Sequence, residues 1–207
     1  MTNKEITKKA YDSIANQYYQ AYKDDKTDFE YIDKFLNMCN KKILDLGCGM
    51  GHYSKYIKNR GLEVVGIDFS KGMLKIAKEN EPDVKFIELD IRNLPNDLEN
   101  DFDGVLIAYV IHHLSKTETK ECLINLKQYL LNNAKLLILF REGNKILNEE
   151  EPFNPEFNYV IKEYEKEEIT ELLDECGFDV LEIEEKPYKE DKNSLCPKTL
   201  ILYAKLR

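Results

Sequence analysis

Long hydrophobic runs are absent from this chain of 207 residues. Its longest apolar segments, residues 104–111 and 136–140, are far shorter than the roughly 18 residues that a membrane-spanning helix requires. The sequence also opens without a hydrophobic signal region, so nothing in it predicts secretion. We therefore expect a cytoplasmic protein with no membrane partner.

Cysteine is sparse, and its arrangement predicts neither a disulfide framework nor a zinc site. The five cysteines are odd in number and scattered, without a C-x-x-C pair or a histidine at zinc spacing. This pattern is typical of reduced thiols that pack in the interior, and no metal site is expected. The cysteines are Cys39, Cys48, Cys122, Cys176 and Cys196.

Clusters of lysine and arginine are missing as well, although a third of the residues are charged. The chain carries 39 acidic and 30 basic side chains, for a net charge of −9. Because phosphate-backbone binding needs a cluster of lysine and arginine, no nucleic acid partner is expected. The acid is concentrated in residues 142–192, with 18 acidic and 6 basic residues, which we interpret as a solvated surface.

The hydrophobic pattern predicts a single α/β domain, since no repeat or linker interrupts it. Short apolar runs alternate with amphipathic helical segments, which favours parallel strands joined by helices. Two late runs have no helix between them and should be antiparallel. We predict a doubly wound, Rossmann-like sheet of seven mostly parallel strands with the last strand antiparallel, and an irregular segment over residues 141–164. The predicted strands are 42–46, 62–67, 84–89, 104–109, 135–140, 180–183 and 199–204.

A glycine loop follows the first predicted strand, at the edge where such sheets bind ligands. Gly47, Gly49 and Gly51 stand at alternate positions, with Asp45 two residues before the first. A dinucleotide fingerprint would place its third glycine one position later, where this chain has His52. A carboxylate at this point disfavours a pyrophosphate and favours an ammonium or sulfonium ligand. An ordinary glycine turn between strand and helix is the alternative interpretation.

Carboxylates also follow the next two predicted strands. Asp68, 21 residues beyond Gly47, can accept hydrogen bonds from both hydroxyls of a ribose. Asp90 can accept from an adenine amino group, with Ile91 beside the ring. Each aspartate alone is weak evidence, because Asp68 could instead serve the next helix N-terminus and aspartates are common in turns.

Taken together, these motifs resemble the class I S-adenosylmethionine-dependent methyltransferases, in particular the compact type 11 and type 25 branch that acts on small molecules. Asn132 and Asn133 depart from that pattern, since the family often has a glycine pair before the fifth strand; asparagine also tolerates a left-handed turn. The resemblance is carried by residues 11–15, 43–51, 65–68, 89–91, 102–106 and 177–180.

The resemblance implies S-adenosylmethionine as cofactor and S-adenosylhomocysteine as product. It places the three glycines around the methionine part, Asp45 near its ammonium group, Asp68 on the ribose, and Asp90 with Ile91 on the adenine. An N-terminal helix would close over the cofactor. The cofactor-binding residues expected on this basis are Tyr11, Tyr18, Asp45, Gly47, Gly49, Gly51, Asp68, Phe69, Met73, Asp90, Ile91 and Ala108.

The candidate catalytic residues are His113 and His112, just beyond the fourth predicted strand. Methyl transfer from a sulfonium needs alignment and exclusion of water rather than a catalytic triad. A general base helps when the acceptor is a hydroxyl or a protonated amine, and histidine is suited to that role. The alternative is that one of the histidines packs against the core or caps the next helix.

The acceptor is expected to be a small molecule. An Asn/Asp-Pro-Pro-aromatic motif, which enzymes that methylate base amino groups share, is missing after the fourth strand. The sequence Asn154-Pro-Glu-Phe157 is interpreted as a turn, and Cys196 lies too far along the chain for a cytosine C5 nucleophile. Nothing in the sequence predicts an oligomeric state.

Within one methyltransferase domain spanning residues 1–207, the predicted parts are an N-terminal helical cap (1–34), a cofactor-binding core (35–141), an acceptor-side lid (142–165), and a C-terminal helix with strands (166–207). Aromatic residues among acids in the lid suit an aromatic or cationic acceptor, with surface packing as the alternative. Two other functions stay open: a non-catalytic protein that binds S-adenosylmethionine, and an NAD-dependent oxidoreductase.

Overall fold

The structure is a computed structural model that describes residues 1–186 and 198–207. Cys196 lies outside the described residues, whereas the other four cysteines are buried and free. Two short 3₁₀ turns, Ile111–His113 and Lys127–Tyr129, accompany the regular elements. The α-helices of the described residues are α1 (Asn3–Tyr22), α2 (Phe29–Leu36), α3 (His52–Asn59), α4 (Lys71–Asn80), α5 (Lys116–Leu126) and α6 (Lys166–Glu175).

The strands form one large sheet and one small sheet. The large sheet has the order β3-β2-β1-β4-β5-β9-β8, with β1 to β5 parallel. Strand β9 runs antiparallel to both β5 and β8. The strands are β1 (Lys42–Leu46), β2 (Glu63–Asp68), β3 (Lys85–Glu88), β4 (Phe102–Ala108), β5 (Leu130–Arg141), β6 (Ile146–Glu150), β7 (Asn158–Lys162), β8 (Phe178–Glu185) and β9 (Thr199–Leu206).

The predicted fold class is confirmed: seven strands, mostly parallel, with the last strand antiparallel. Parallel pairing follows from the helices that connect β1 to β5, because a parallel pair needs a crossover connection. Helices α4 and α5 begin after the N-cap residues Ser70 and Ser115, since each hydroxyl accepts a hydrogen bond from the first turn. The helix from Ser115 has the full capping box with Glu118.

The prediction of an irregular segment over residues 141–164 was wrong. Strands β6 and β7 pair there as a separate antiparallel hairpin, and Asn154 and Phe157 lie in its turn, as the sequence indicated. The hairpin was missed because β6 is mostly polar and both strands pair with each other outside the main sheet. Only Tyr159 and Ile161 of β7 are buried, in a small cluster that includes Ala10 of α1.

The sheet reverses its direction of growth between β1 and β4. Strands β2 and β3 extend to one side of β1, whereas β4 and β5 extend to the other. A crevice forms at the carboxyl ends of strands at such a point. Helix α1 contacts α4 and β7 near this edge, and β7 contacts the turn Ile111–His113. The elements that carry the predicted site residues therefore converge here.

The interior is built on both faces of the large sheet. One apolar cluster covers a face with α5 and α6, and a second covers the other face with α2 and α3. A smaller cluster joins α1 to α4 through Ile14, Ala15 and Met73. In the described part of the chain, the helices are too short or too polar to cross a membrane.

Candidate functional site

The glycine loop after β1 has the backbone conformation for which glycine is suited. Gly47, Gly49 and Gly51 have φ angles of 84°, 53° and 78°, in the left-handed region. A Cβ atom at Gly47 would overlap the side chain of Val110, which follows β4. The loop therefore packs directly against the end of the neighbouring strand, at the switch point of the sheet.

Asp68 links the glycine loop to the start of α4. Its carboxylate accepts hydrogen bonds from the Gly49 N–H at 2.9 Å and from the Ser70 N–H at 2.7 Å. Burial raises the pKa of Asp68 to about 6, although these two hydrogen bonds act in the opposite direction. The carboxylate predicted for the ribose thus lies directly beside the glycine loop.

Asp45 is a second buried carboxyl group in this region. It is 1% exposed and accepts a hydrogen bond from the Ser54 hydroxyl at 2.6 Å. Burial raises the pKa of Asp45 to about 7, and the nearby charge of Asp68 contributes to the same direction. Two acidic groups close to one another in a desolvated place favour a positively charged ligand.

The residues predicted for the adenine lie at the end of β3. Asp90 forms ion pairs with Lys4 at 2.5 Å and with Arg92 at 2.8 Å. Ile91 is buried in the main core, and Phe69 lies under the guanidinium of Arg92 at 5.9 Å. The structure therefore brings Asp90, Ile91 and Phe69 to one region, with Asp90 already engaged by two cations.

Helix α1 is fixed to the start of α4 by one side chain. Asp12 accepts hydrogen bonds from the Ser70 hydroxyl at 2.7 Å and from the Gly72 N–H at 2.9 Å. A Cβ atom at Gly72 would lie 2.6 Å from the backbone oxygen of Asp12, so glycine permits this close approach. Met73, predicted as a cofactor residue, is 2% exposed and packs between the two helices.

Aromatic rings line the inner side of α1. The Tyr11 and Tyr18 rings meet edge to face at 6.2 Å, and Tyr18 contacts Phe153 of the hairpin at the same distance. The Tyr11 ring is stacked on Tyr159 of β7 at 6.4 Å. The hairpin therefore covers the same edge of the sheet as α1.

The end of β4 has an unusual backbone. Ala108 is half-buried, and the next residue, Tyr109, has a φ of 60°, which is uncommon outside glycine. The Tyr109 hydroxyl donates to the buried carboxylate of Asp28, which also accepts from Tyr53 at 2.7 Å and from Lys186 at 2.7 Å. These contacts hold the connection between α1 and α2 against the sheet.

His113 lies where α1, the hairpin and the turn after β4 meet. Its Nε2 atom is 2.9 Å from the Tyr11 hydroxyl and 3.2 Å from Nε2 of His112. Burial lowers the pKa of both histidines, that of His112 to about 4. Both rings are therefore neutral near pH 7.

The structure brings most of the predicted residues together, and it adds two that the sequence did not reveal, Asp12 and Glu151. Asp12 fixes α1. Glu151 is 3% exposed and accepts from the hydroxyl of Tyr159, one of the aromatic residues of the predicted lid, at 2.8 Å. A single aspartate within an amphipathic helix has no distinguishing signal, and the role of Glu151 depends on the hairpin, which was not predicted.

Comparison with known proteins supports the resemblance. Residues 43–133 match a family model described as a methyltransferase domain. The chain is 28% identical over 127 residues to an uncharacterized methyltransferase of Alkaliphilus oremlandii, covering 61% of this chain and 58% of the relative. It is 35% identical over 107 residues to a demethylmenaquinone methyltransferase of Renibacterium salmoninarum, covering 52% and 44%. The chain thus spans about half the length of these relatives.

A solved structure shows the same fold over the whole chain. Magnesium protoporphyrin IX methyltransferase from Synechocystis PCC 6803, solved with bound S-adenosylmethionine, superimposes with a TM-score of 0.75. The match covers 100% of this chain and 98% of that protein at 16% identity. At this identity the likeness shows the fold alone.

Because the pKa of Asp45 is raised, we expect the stability of the folded protein to depend on pH. The unfolded chain releases this proton near pH 3.8 and the folded protein near pH 7, so folding binds a proton between these values and stability falls as pH rises. The variant Asp45→Asn cannot ionise. It should match the wild type at pH 4 and exceed it at pH 7 by up to about 4 kcal/mol, since one pKa unit is about 1.4 kcal/mol.

Urea unfolding at both pH values measures this difference. Asp33→Asn is the control, and its effect should have the opposite sign. The hydrogen bond from Arg60 lowers the pKa of Asp33, so removing the Asp33 carboxylate should lower stability at pH 7. A constant difference between Asp45→Asn and the wild type at both pH values would show that Asp45 is not perturbed.

Proposed function

We propose that the chain is a class I S-adenosylmethionine-dependent methyltransferase that transfers a methyl group from this cofactor to a small-molecule acceptor, as the methyltransferase-domain match over residues 43–133 supports. One observation carries the proposal. The Gly49 N–H, in a loop of three glycines with positive φ, donates to Asp68 at the switch point of the sheet. The loop and the carboxylate are thus adjacent, which supports a site for an adenosyl ligand at this point.

The charge of the site supports this cofactor over a dinucleotide. Asp45 and Asp68 are both buried and both acidic. A ligand with a sulfonium and an ammonium group compensates these charges, whereas a pyrophosphate would be repelled. The position of Gly51, one residue earlier than in the dinucleotide fingerprint, agrees with this preference.

The placement of the other predicted residues suggests how the cofactor is held. Gly47, Gly49 and Gly51 would surround the methionine part and Asp45 would face its ammonium group. Asp68 would accept from the ribose hydroxyls. Towards the adenine, Ile91 and Phe69 would supply apolar surface beside Asp90. The other end of the site would be closed by Ala108 from β4, Met73 from α4, and Tyr11 and Tyr18 from α1.

When bound, S-adenosylmethionine supplies a methyl group on a positively charged sulfur that leaves as a neutral thioether. The protein then has to align the acceptor and exclude water, effects that reach roughly 7–11 kcal/mol in well-oriented reactions. Helix α1 and the β6–β7 hairpin are placed to exclude water. Where the acceptor must lose a proton, His113 or His112 would be the general base. Both lie on the side of the site that the hairpin covers.

The β6–β7 hairpin is proposed to form the acceptor side of the site. Tyr159 contacts the rings of Tyr11 and His113, and Phe153 contacts that of Tyr18. The buried carboxylate of Glu151 adds negative charge to this aromatic wall. An aromatic or cationic small molecule suits these surroundings.

Calorimetric titration tests the cofactor. S-adenosylmethionine and S-adenosylhomocysteine are expected to bind with micromolar affinity, and NAD is not. Asp68→Ala should weaken binding at least about tenfold, a loss of about 1.4 kcal/mol, because it removes the proposed ribose contact. Asp83→Ala, at an exposed aspartate of the loop before β3, is the matched control. Tight NAD binding would overturn the proposal.

Turnover tests the reaction. With a methyl-labelled cofactor and a pool of small metabolites, label should pass to an acceptor while S-adenosylhomocysteine accumulates. If a proton is removed in the slow step, His113→Ala should lower turnover by about 10²-fold or more without weakening cofactor binding. Full turnover in His113→Ala would remove His113 from the mechanism, and cofactor binding without any turnover would favour a non-catalytic binding protein.

Exchange of the hairpin tests the acceptor wall. Replacing residues 142–165 by the corresponding segment of another small-molecule methyltransferase should change which acceptors are labelled, while the affinity for S-adenosylhomocysteine stays the same. The exchange keeps Tyr164, which is fully buried in the core of the large sheet, and the sheet should tolerate the rest because β6 and β7 pair only with each other among the described strands. Unchanged acceptor preference would count against the hairpin as the acceptor wall.

A further inference from the structure

The two nitrogen atoms of the His113 ring have different surroundings. Nε2 has two polar neighbours, the Tyr11 hydroxyl at 2.9 Å and Nε2 of His112 at 3.2 Å. Nδ1 is buried and has no hydrogen-bond partner among the described residues. A buried polar atom without a partner is rare in folded proteins and calls for an explanation.

Hydrogen-bond counting decides which nitrogen carries the proton. A neutral imidazole has one N–H and one lone pair. With the proton on Nδ1 of His113, its Nε2 lone pair accepts from the Tyr11 hydroxyl, and the Nε2–H of His112 can donate to the same lone pair. With the proton on Nε2 of His113, the Tyr11 hydroxyl proton has no acceptor among the described residues. His112 must then carry its own proton on its Nδ1 atom, which is buried and has no partner. The first arrangement leaves fewer buried donors unsatisfied.

The ionisation states agree with this count. Burial raises the pKa of Tyr11 far above its ordinary value and lowers the pKa of His113. Both side chains are therefore uncharged at neutral pH, and the Tyr11 oxygen keeps its proton for the bond. The other titratable or charged groups near this pair are His112, Tyr18 from α1, Tyr159 and Glu151 from the hairpin, Asp68 at the end of β2 and Arg92 from the loop after β3.

We propose that Tyr11 holds His113 in the form protonated at Nδ1, and that this N–H donates a hydrogen bond to the methyl acceptor. Tyr11 is thus a positioning residue and His113 an acceptor-binding residue, an inference that rests on the proposed methyl transfer. The acceptor must then present an oxygen or nitrogen lone pair at this point, as a carbonyl, a phenolate or a ring nitrogen does. In this form Tyr11 engages the Nε2 lone pair, so His113 orients the acceptor in place of the general-base role considered above, and a rate loss in His113→Ala comes from lost orientation.

The position of Tyr11 depends on the docking of α1. The next residue, Asp12, accepts from Ser70 and Gly72 of the α4 start, so one turn of helix joins the cofactor side of the site to His113. The Tyr11 ring is held from two further directions by Tyr18 and Tyr159. A substitution that removes only the hydroxyl should therefore leave the ring in place.

Nitrogen NMR of histidine-labelled protein tests the proposal directly, since the chain has three histidines. Without cofactor or acceptor at neutral pH, the wild type should show His113 protonated at Nδ1. In Tyr11→Phe the two forms of His113 should become mixed, while the signals of His52 stay unchanged. Tyr19→Phe is the matched control, because it removes a hydroxyl of the same helix that donates to Asn80 instead; its His113 signal should match the wild type.

A wild-type His113 protonated at Nε2 would overturn the proposal, as would a Tyr11→Phe spectrum identical to that of the wild type. Should Tyr11→Phe fail to fold, the wild-type spectrum still shows which nitrogen of His113 carries the proton. The measurement is independent of the proposed function, because it uses no cofactor: failure to bind S-adenosylmethionine would reject that function and leave this spectrum unaffected.

A second arm uses any acceptor found by the turnover assay. His113→Asn keeps an N–H near the position of Nδ1, whereas His113→Leu has none. The donor role predicts that the KM for the acceptor rises at least about tenfold more in His113→Leu than in His113→Asn. An equal rise of KM in both variants would contradict the donor role.

Discussion

The carboxylate of Asp68 connects the parts of the site to the sheet. It accepts from the Gly49 N–H on one side and from the Ser70 N–H on the other, so the glycine loop and the start of α4 are held at a fixed separation. Ser70 then donates its hydroxyl to Asp12, which fixes α1 over the same edge. Since Asp68 ends β2, the position of these elements follows from the register of the parallel sheet.

The same carboxylate has an energetic cost. Asp68 and Asp45 are buried close to each other, and burial raises the pKa of both, so ionising either group lowers the stability of the folded protein. A cationic ligand would lower both pKa values and recover that free energy. If the proposed cofactor binds here, recognition of its positive charge rests on two aspartates beside a glycine turn.

The sequence allowed the sheet and the conformation of the glycine loop to be predicted, because both depend on local pattern. Apolar runs marked the strands, and the glycine spacing with Asp68 marked the loop whose φ angles are indeed positive. The hairpin was missed since its strands are short, β6 is mostly polar, and the two strands pair only with each other. The contact between Tyr11 and His113 joins residues 102 positions apart, and no periodicity connects them.

The hairpin leaves the sheet at the end of β5 and returns before α6, touching the main body mainly through α1 and the turn after β4. Its strands take no hydrogen-bonding positions in the seven-stranded sheet. Substitutions or changes of length in it therefore leave the pairing of β5 with β9 intact. In evolutionary terms, the exposed positions of the hairpin can change in sequence and length without altering how the main strands pair, so this part of the chain can diversify faster than the sheet that carries it.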